Sequence, residues 1–255
     1  MTRRTYLHRL ALTAALSGLA LQAPAQQAKD SFIIGVCSHD LHLSDSHDQG
    51  NQLLREAGVE SVRTDAHWAF LERKRDQLKI EPHWHRYLAD AQAHQLGNLF
   101  ILGYGNHFHG GGEKPRSEPV RAAFNRYVAF VAQQFRGRVT HYEVWNEWDV
   151  ENPHDPRFTE DYVRLITDAA GIIRQHDPQA TVLAGAVTTK GIESGFAQRL
   201  LKAGIMQSID GLSLHPYVHC RGRGQNTPEA WIEWLTEINL ELSRIAGEPV
   251  PLYLT

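Results

Sequence analysis

Seven short β-type runs recur along this chain, and helix-like segments separate them. The runs cover residues 32–37, 61–65, 98–105, 139–145, 181–187, 209–216 and 249–254. Their starts lie roughly 25 to 45 residues apart, which is the spacing of a strand, a crossover helix and the next parallel strand. Most of the runs are continuously apolar, as expected of strands covered on both faces. The pattern predicts an α/β protein with a parallel sheet flanked by helices.

The segments between the runs have the periodicity of amphipathic helices. In residues 118–135 an apolar stripe recurs at spacings of four and three, at Val120, Phe124, Val128 and Val131. We predict further helices over residues 45–57, 84–96, 159–175, 194–203 and 228–246. Because no glycine-rich phosphate loop follows the first run, the series favours a (β/α)8 TIM barrel over a doubly wound sheet.

The predicted barrel occupies residues 26–255, without a second domain or linker. Seven of its eight strands are found. The sequence stops at Thr255 in "VPLYLT", which reads as the interior of the seventh strand. We therefore expect a barrel that is incomplete at its C-terminus, truncated within or just after strand seven.

Residues 1–25 have the composition of an export signal peptide. Three arginines, Arg3, Arg4 and Arg9, precede the apolar run "LALTAALSGLAL", and "APA" at 23–25 suits a cleavage site. The order "TRRTYLHR" also resembles a twin-arginine signal, and a Sec signal is the alternative. No later stretch is long and apolar enough to span a bilayer. We predict a periplasmic or secreted protein with no stable membrane anchor after signal removal.

Removal of residues 1–25 would take away three arginines and no acids, and so lower the formal net charge from −3 to −6. An acidic protein is a poor candidate for binding nucleic acid, which needs clustered Lys and Arg. Export would permit a disulfide between Cys37 and Cys220, and the sequence leaves their pairing open.

Polar residues cluster where the predicted strands end. In a (β/α)8 barrel the carboxyl ends of the strands build the active site. The residues found there are His39, Asp40, Arg63, Asp65, Asn106, His107, Asn146, Glu147, His215 and Tyr217. Each alone could cap a helix or bond a loop, but together they predict one cleft.

Glu147 stands in "YEVWNEWD", between Trp145 and Trp148. Apolar rings raise the pKa of a carboxyl group, because low dielectric disfavours its charged form. A carboxyl group that keeps its proton near neutrality can protonate a leaving oxygen. Glu147 is therefore the predicted acid catalyst.

The motif "VWNEWD" is similar to the Asn-Glu signature of the clan A retaining glycoside hydrolases. "VRTDAHW", "WHRYLADAQAHQLGNLFIL" and "LSLHPY" resemble their second strand, third βα unit and sixth strand, so the resemblance covers most of residues 26–255. Within the clan the chain looks most like glycoside hydrolase family 39 and related bacterial polysaccharide hydrolases. Trp148 and Asp149 follow the Asn-Glu pair where proline is common.

The resemblance implies that Glu147 is the general acid/base and that Asn146 hydrogen-bonds the sugar 2-hydroxyl. It implies that Arg63 holds a nucleophilic carboxylate ionised, with Tyr217 or His215 hydrogen-bonding near it. The residues themselves leave open an Arg63–Asp65 ion pair and a structural role for His215. The clan pattern places the nucleophilic glutamate at the end of strand seven, so we expect glutamate directly after Thr255.

Trp68 and Trp148 follow strand ends, where a flat ring can stack on a sugar, although core packing is the ordinary role of tryptophan. The fifteen histidines include spaced pairs that metal sites use, at 39 and 42, 83 and 85, and 107 and 109. "AGAVTTK" after the fifth strand offers no ligand. We therefore expect no metal, and predict that His107 hydrogen-bonds sugar or loop.

These features predict an exported glycoside hydrolase that needs no cofactor and degrades a β-linked oligo- or polysaccharide through a covalent glycosyl-enzyme. The 255 residues offer no second catalytic carboxylate, so the chain itself is expected to be inactive. For the same reason a non-catalytic glycan-binding barrel is the first alternative. A metal-dependent barrel hydrolase is the second.

Overall fold

The computed structural model describes residues 32–39, 41 and 47–255, and the predicted export signal lies outside them. Seven parallel strands pair in sequence order and form one curled sheet within the unit Ile33–Thr255. The strands are β1 Gly35–Cys37, β2 Ser61–His67, β3 Gly97–Gly103, β4 His141–Val144, β5 Thr181–Thr188, β6 Gly211–His215 and β7 Leu252–Leu254. The predicted α/β barrel architecture is confirmed.

The connections between the strands carry the helices. These are α1 Asp48–Glu56, α2 Trp68–Leu71, α3 Pro82–Ala93, α4 Glu118–Gln134, α5 Pro156–His176, α6 Thr189–Glu193, α7 Phe196–Lys202 and α8 Pro228–Ala246. A proline in the first turn, where no backbone donor is needed, begins α3, α4, α5 and α8. The sequence did not predict α2 and α6, which are too short to show a period. Within the described residues, none of the helices combines the length and apolarity needed to cross a membrane.

Successive side chains of each strand point to opposite faces of the sheet. On the outer face Phe100, Tyr142 and Val144 join a large core with the buried stripe of α4. On the inner face Leu99, Ile101 and Leu183 form a smaller cluster, with Tyr253 packed against it. The polar side chains of the site lie on this inner face.

A bulge interrupts the pairing of β5 with β6 after Ala184. Gly185 has φ of 121°, and a Cβ there would lie 2.5 Å from the carbonyl oxygen of Ser213, so only glycine fits. The hydroxyl of Tyr162 accepts from the Gly185 amide at 2.8 Å and donates to the Val144 carbonyl at 3.0 Å. One phenol of α5 therefore joins the bulge to the end of β4, where the Asn-Glu motif begins.

Candidate active site

Arg63 is the centre of a hydrogen-bond network on the inner face. Its Nε donates to Oε2 of Glu143 at 2.8 Å, and its Nη2 lies 2.6 Å from the same oxygen. Nη2 also donates to Oδ1 of Asn146 at 2.9 Å and lies 3.3 Å from Nε2 of His215. Burial alone would lower the pKa of Arg63, but the Glu143 carboxylate beside it leaves that pKa raised. Arg63 is therefore a cation that links β2, β4 and β6.

Glu147 joins this network through His215. Nδ1 of His215 lies 2.8 Å from Oε1 of Glu147. A guanidinium has only donors, so Nε2 of His215 accepts from Arg63. A ring that accepts at Nε2 carries its proton on Nδ1, in position to donate it to Glu147. His215 is only 1% exposed, so its ring is held between the two groups.

The carboxyl group of Glu147 does not lie among the rings that flank it in the sequence. The hydrogen bond from His215 holds the pKa of Glu147 below its usual value, although burial acts to raise it. Trp145 and Trp148 are buried in the core, with ring centroids 5.4 Å apart. The prediction that apolar rings raise this pKa is therefore wrong for the chain described.

A sharp backbone turn explains this arrangement. Trp145 has φ of 65° and Glu147 has φ of 50°, a left-handed conformation that residues with a Cβ rarely adopt. Asp149 ties the turn to the end of β5, because its Oδ1 accepts from the Thr188 amide at 3.2 Å and its Oδ2 accepts from the Thr188 hydroxyl. Burial raises the pKa of Asp149 although these donors lower it.

Tyr217, which follows β6, lies beside the network. Its ring centroid is 5.5 Å from that of His215, and it stacks with His219 at 5.6 Å. Burial and the nearby Glu147 carboxylate raise the pKa of Tyr217, so its hydroxyl remains a donor. Tyr217 is 43% exposed, and an exposed ring with a hydroxyl suits a sugar.

Trp68 and Trp148 are fully buried, so the prediction that they stack on a sugar is wrong. The Trp68 ring stacks on His109 at 5.1 Å, and the Trp148 ring stacks on Tyr162 at 5.1 Å. Both have the core role that the sequence left open.

Asp65 is not the partner of Arg63, so the alternative of an Arg63–Asp65 ion pair is wrong. Oδ1 of Asp65 accepts from the hydroxyl of Tyr104 at 2.9 Å, and Oδ2 lies 3.0 Å from Nδ1 of His39. The ring of His67 stacks on Tyr104 at 4.3 Å. These side chains form a second polar group, at the carboxyl ends of β1, β2 and β3.

Glu72, Asp76 and His109 are the one set of described residues whose ligand atoms, within 4.8 Å of one another, could hold a metal ion. Nε2 of His109 lies 2.7 Å from Oε1 of Glu72, so a shared proton already satisfies both atoms. His107 is exposed, and its ring lies 3.9 Å from Phe108. The spaced histidines 107 and 109 therefore do not face a common point.

The other histidine pairs add no ligand set among the described residues. Asp40, His42 and the side chain of Cys220 lie outside the described part of the structure, and His83 and His85 belong to α3. The exposed thiol of Cys37 is free and accepts from Arg63 Nη1 at 3.7 Å.

No protein-family model and no curated protein matches the sequence. Solved structures do match. A family 39 glycoside hydrolase from Bacteroides cellulosilyticus WH2 superposes with a TM-score of 0.70 and 24% identity, over 87% of this chain and 48% of that chain. A family 39 β-xylosidase from Caulobacter crescentus gives 0.64 and 19%, over 88% and 53%. An endo-β-1,4-mannanase from Thermotoga petrophila gives 0.63 and 14%, over 88% and 60%.

The chain has the fold of a glycoside hydrolase barrel. This confirms, at the level of fold, the predicted resemblance to clan A enzymes and to family 39. The chain spans about half the length of each of the two family 39 proteins named above.

Two buried carboxylates at this site, Glu143 and Asp149, were not predicted. Glu143 lies in the middle of β4 and is fully buried. The sequence did carry a signal for it, because a lone acid within an apolar strand is costly unless it is paired. Glu143 also accepts from the hydroxyl of Thr255 at 2.8 Å, so the end of β7 reaches the same network.

Proposed function

We propose that this chain carries the acid/base half of a glycoside hydrolase that cleaves a β-linked oligo- or polysaccharide with retention of configuration. The observation that carries the proposal is the convergence of Arg63, Asn146, His215 and Glu147 in one network at the carboxyl ends of the strands. Catalytic groups of (β/α)8 enzymes occupy this end, and the fold is shared with glycoside hydrolases.

Each side chain has a role that suits its position. Glu147 protonates the leaving oxygen and later activates water. Asn146 accepts from Arg63 through Oδ1, which leaves its amide hydrogens for a sugar hydroxyl. Tyr217 offers the sugar an exposed ring, in place of the two buried tryptophans.

The nucleophile that retention requires is not found among the described residues of the site. Among the described carboxylates at this edge, Asp65, Glu143 and Asp149 are each engaged by other groups. We propose that a glutamate directly after Thr255 supplies it. The support is that the Thr255 hydroxyl contacts Glu143 on the inner face, which brings the end of β7 to Arg63.

A second carboxylate nearby would also favour the protonated form of Glu147, which an acid catalyst needs. In the described residues the His215 hydrogen bond keeps its pKa low, which suits a base but not an acid. Retaining enzymes hold their two carboxyl groups about 5 Å apart. A negative charge at that distance opposes ionisation and raises the pKa of the acid.

The test compares Glu147→Ala with the unaltered protein, both expressed from the full reading frame. We expect hydrolysis of natural β-xylans and β-mannans to fall by about 10²–10⁴-fold, because protonation of the leaving group is lost. Aryl glycosides with good leaving groups need no acid in the first step, so their first step should be spared. Azide should restore turnover by replacing the base-activated water.

The matched control is Glu151→Ala, which removes an exposed acid four residues further along the chain. It should leave all rates unchanged. Unaltered hydrolysis in Glu147→Ala would make Glu147 structural. Glycan binding without hydrolysis in the full protein would favour the glycan-binding barrel, a candidate supported by the engagement of the other three carboxylates.

We also propose that residues 1–25 direct export. The sequence support is the order of arginines, apolar run and small residues. Fractionation of cells that express the full reading frame should recover a shortened protein from the periplasm or medium. Replacement of Arg3 and Arg4 by lysine should block export by the twin-arginine route alone.

A further inference from the structure

Glu143 is a buried carboxylate to which the proposed reaction assigns no step. It is fully buried and pairs in register with Ile101 of β3 and Leu183 of β5. A carboxylate among such neighbours is costly unless other groups compensate its charge. Its presence in the middle of a strand therefore needs a physical reason.

Both oxygens of Glu143 are engaged by groups from different strands. Oε2 accepts from Nε of Arg63 at 2.8 Å and lies 2.6 Å from the charged Nη2. Oε1 accepts from the hydroxyl of Thr255 at 2.8 Å. The amide of Thr255 also donates to the carbonyl of Leu214 at 3.2 Å, which continues the pairing of β7 with β6. Glu143 thus joins the end of β7 to the guanidinium of β2.

The orientation of Arg63 decides the state of His215. With Nε directed at Glu143, the two hydrogens of Nη2 are directed at Asn146 and His215. That donor makes Nε2 of His215 an acceptor and leaves the proton on Nδ1 for Glu147. A change at Glu143 would therefore reach Glu147 through two intervening side chains.

We propose that Glu143 is a positioning residue, which holds Arg63 so that Arg63 fixes His215 in the Nδ1–H tautomer and anchors the end of β7 to the same site. The acid/base consequence rests on the proposed function, whereas the tautomer of His215 does not. The charged and titratable groups that face Glu147 are His215 from β6, Arg63 from β2, Tyr217 after β6 and Asp149 of its own loop.

The first test reads the tautomer directly. Long-range ¹H–¹⁵N spectra of histidine-labelled full-length protein should show His215 as a neutral ring protonated on Nδ1. Glu143→Gln keeps the shape of the side chain but removes its charge, and should give a mixture of tautomers. The control Asp177→Asn alters a 1% exposed carboxylate bound to the Gly137 amide at the other end of the sheet, and should leave His215 unchanged.

The second test uses activity. In Glu143→Gln two changes at Glu147 oppose each other: the charge of Arg63 is no longer neutralised, which lowers the pKa of Glu147, and part of the His215 donation is lost, which raises it. The basic limb of the kcat/KM profile, which reports loss of the acid proton, should therefore move to lower pH by less in Glu143→Gln than the same substitution moves it in a His215→Phe background, where only the charge of Arg63 acts. Glu143→Asp, which retains the charge, should restore the limb in part, and Asp177→Asn should not move it.

If Glu143→Gln does not fold, a double variant provides the same test. Arg63→Met with Glu143→Leu removes both buried charges together, which proteins tolerate better than the loss of one partner. His215 then lacks its donor and should again populate both tautomers.

An unchanged His215 tautomer in these variants overturns the proposal, whatever the activity. A changed tautomer in a full-length protein that hydrolyses no glycoside supports the positioning role and overturns only the proposed function.

Discussion

His215 donates from Nδ1 to Oε1 of Glu147 at 2.8 Å, and through its Nε2 it receives a hydrogen bond from Arg63. The state of the candidate acid therefore depends on side chains from β6 and β2, which lie far from it in the sequence. Its sequence neighbours Trp145 and Trp148 lie in the core instead.

His215→Phe should raise the pKa of Glu147, because the donor that depresses it is lost while burial remains. The measurement is a ¹³C NMR titration of the glutamate carboxyl carbons, assigned with Glu147→Gln. His219→Phe is the matched control, since His219 is exposed and stacks on Tyr217 without contacting the carboxylate. Equal pKa values in both variants would contradict the assigned role of His215.

The depressed pKa of Glu147 also has a consequence for the stability of the fold. A carboxyl group with a depressed folded pKa stabilises the fold above its unfolded pKa, and this contribution is lost as pH falls through the folded value. The free energy of unfolding should therefore fall less in His215→Phe than in the unaltered protein as the pH is lowered from 7 to below about 4. Urea unfolding at both pH values measures this difference.

Trp148→Ala should destabilise the protein by about 3–5 kcal/mol, because it empties a fully buried site. Tyr217→Ala should change stability by less than about 1 kcal/mol, since the residue is 43% exposed, and should weaken glycan binding. Urea unfolding and calorimetric titration with oligosaccharides measure the two effects. If Trp148→Ala bound oligosaccharides more weakly at undiminished stability, Trp148 would be a sugar-contacting residue and not a core residue.

Asp149→Ala should leave the Thr188 donors unpaired and cost about 1–3 kcal/mol of stability. It should also alter the titration of Glu147, because the left-handed turn loses its tether. The control is Asp155→Ala, which removes the cap of α5 at similar stability cost but does not touch the turn. An unchanged Glu147 titration in Asp149→Ala would show that the turn holds without Asp149.

Gly185→Ala should destabilise by more than about 1 kcal/mol, since φ is 121° and the added Cβ would meet the Ser213 carbonyl at 2.5 Å. Gly171→Ala is the control, because Gly171 lies within α5 with nothing within 4 Å of its Cβ position. At position 171 alanine should stabilise the protein by about 0.5–1 kcal/mol. Thermal unfolding should therefore move in opposite directions for the two variants.

The regular parts of the fold could be predicted from the sequence because strand and helix periods are local properties. The stripe of α4 is buried as expected, at Phe124, Val128 and Val131. Motif spacing also identified Arg63 and Asn146, which meet because parallel strands end at one edge.

The partners within the site could not be predicted in the same way. The sequence gives no sign that Glu143 accepts from Arg63, 80 positions away, or that a left-handed turn separates Glu147 from its tryptophans. Burial of Trp68 and Trp148 likewise depends on packing against helices whose placement the sequence does not specify.

The phenol of Tyr162 has a consequence for local motion. It is fully buried, and it is both the acceptor of the Gly185 amide and the donor to the Val144 carbonyl. Opening of the β5 bulge would break both bonds together, so the bulge and the end of β4 should exchange their amide hydrogens as one cooperative unit. Deuterium uptake at Gly185 therefore becomes a reporter of the loop that carries Glu147, and a glycan that rigidifies this loop should slow the uptake without contacting α5.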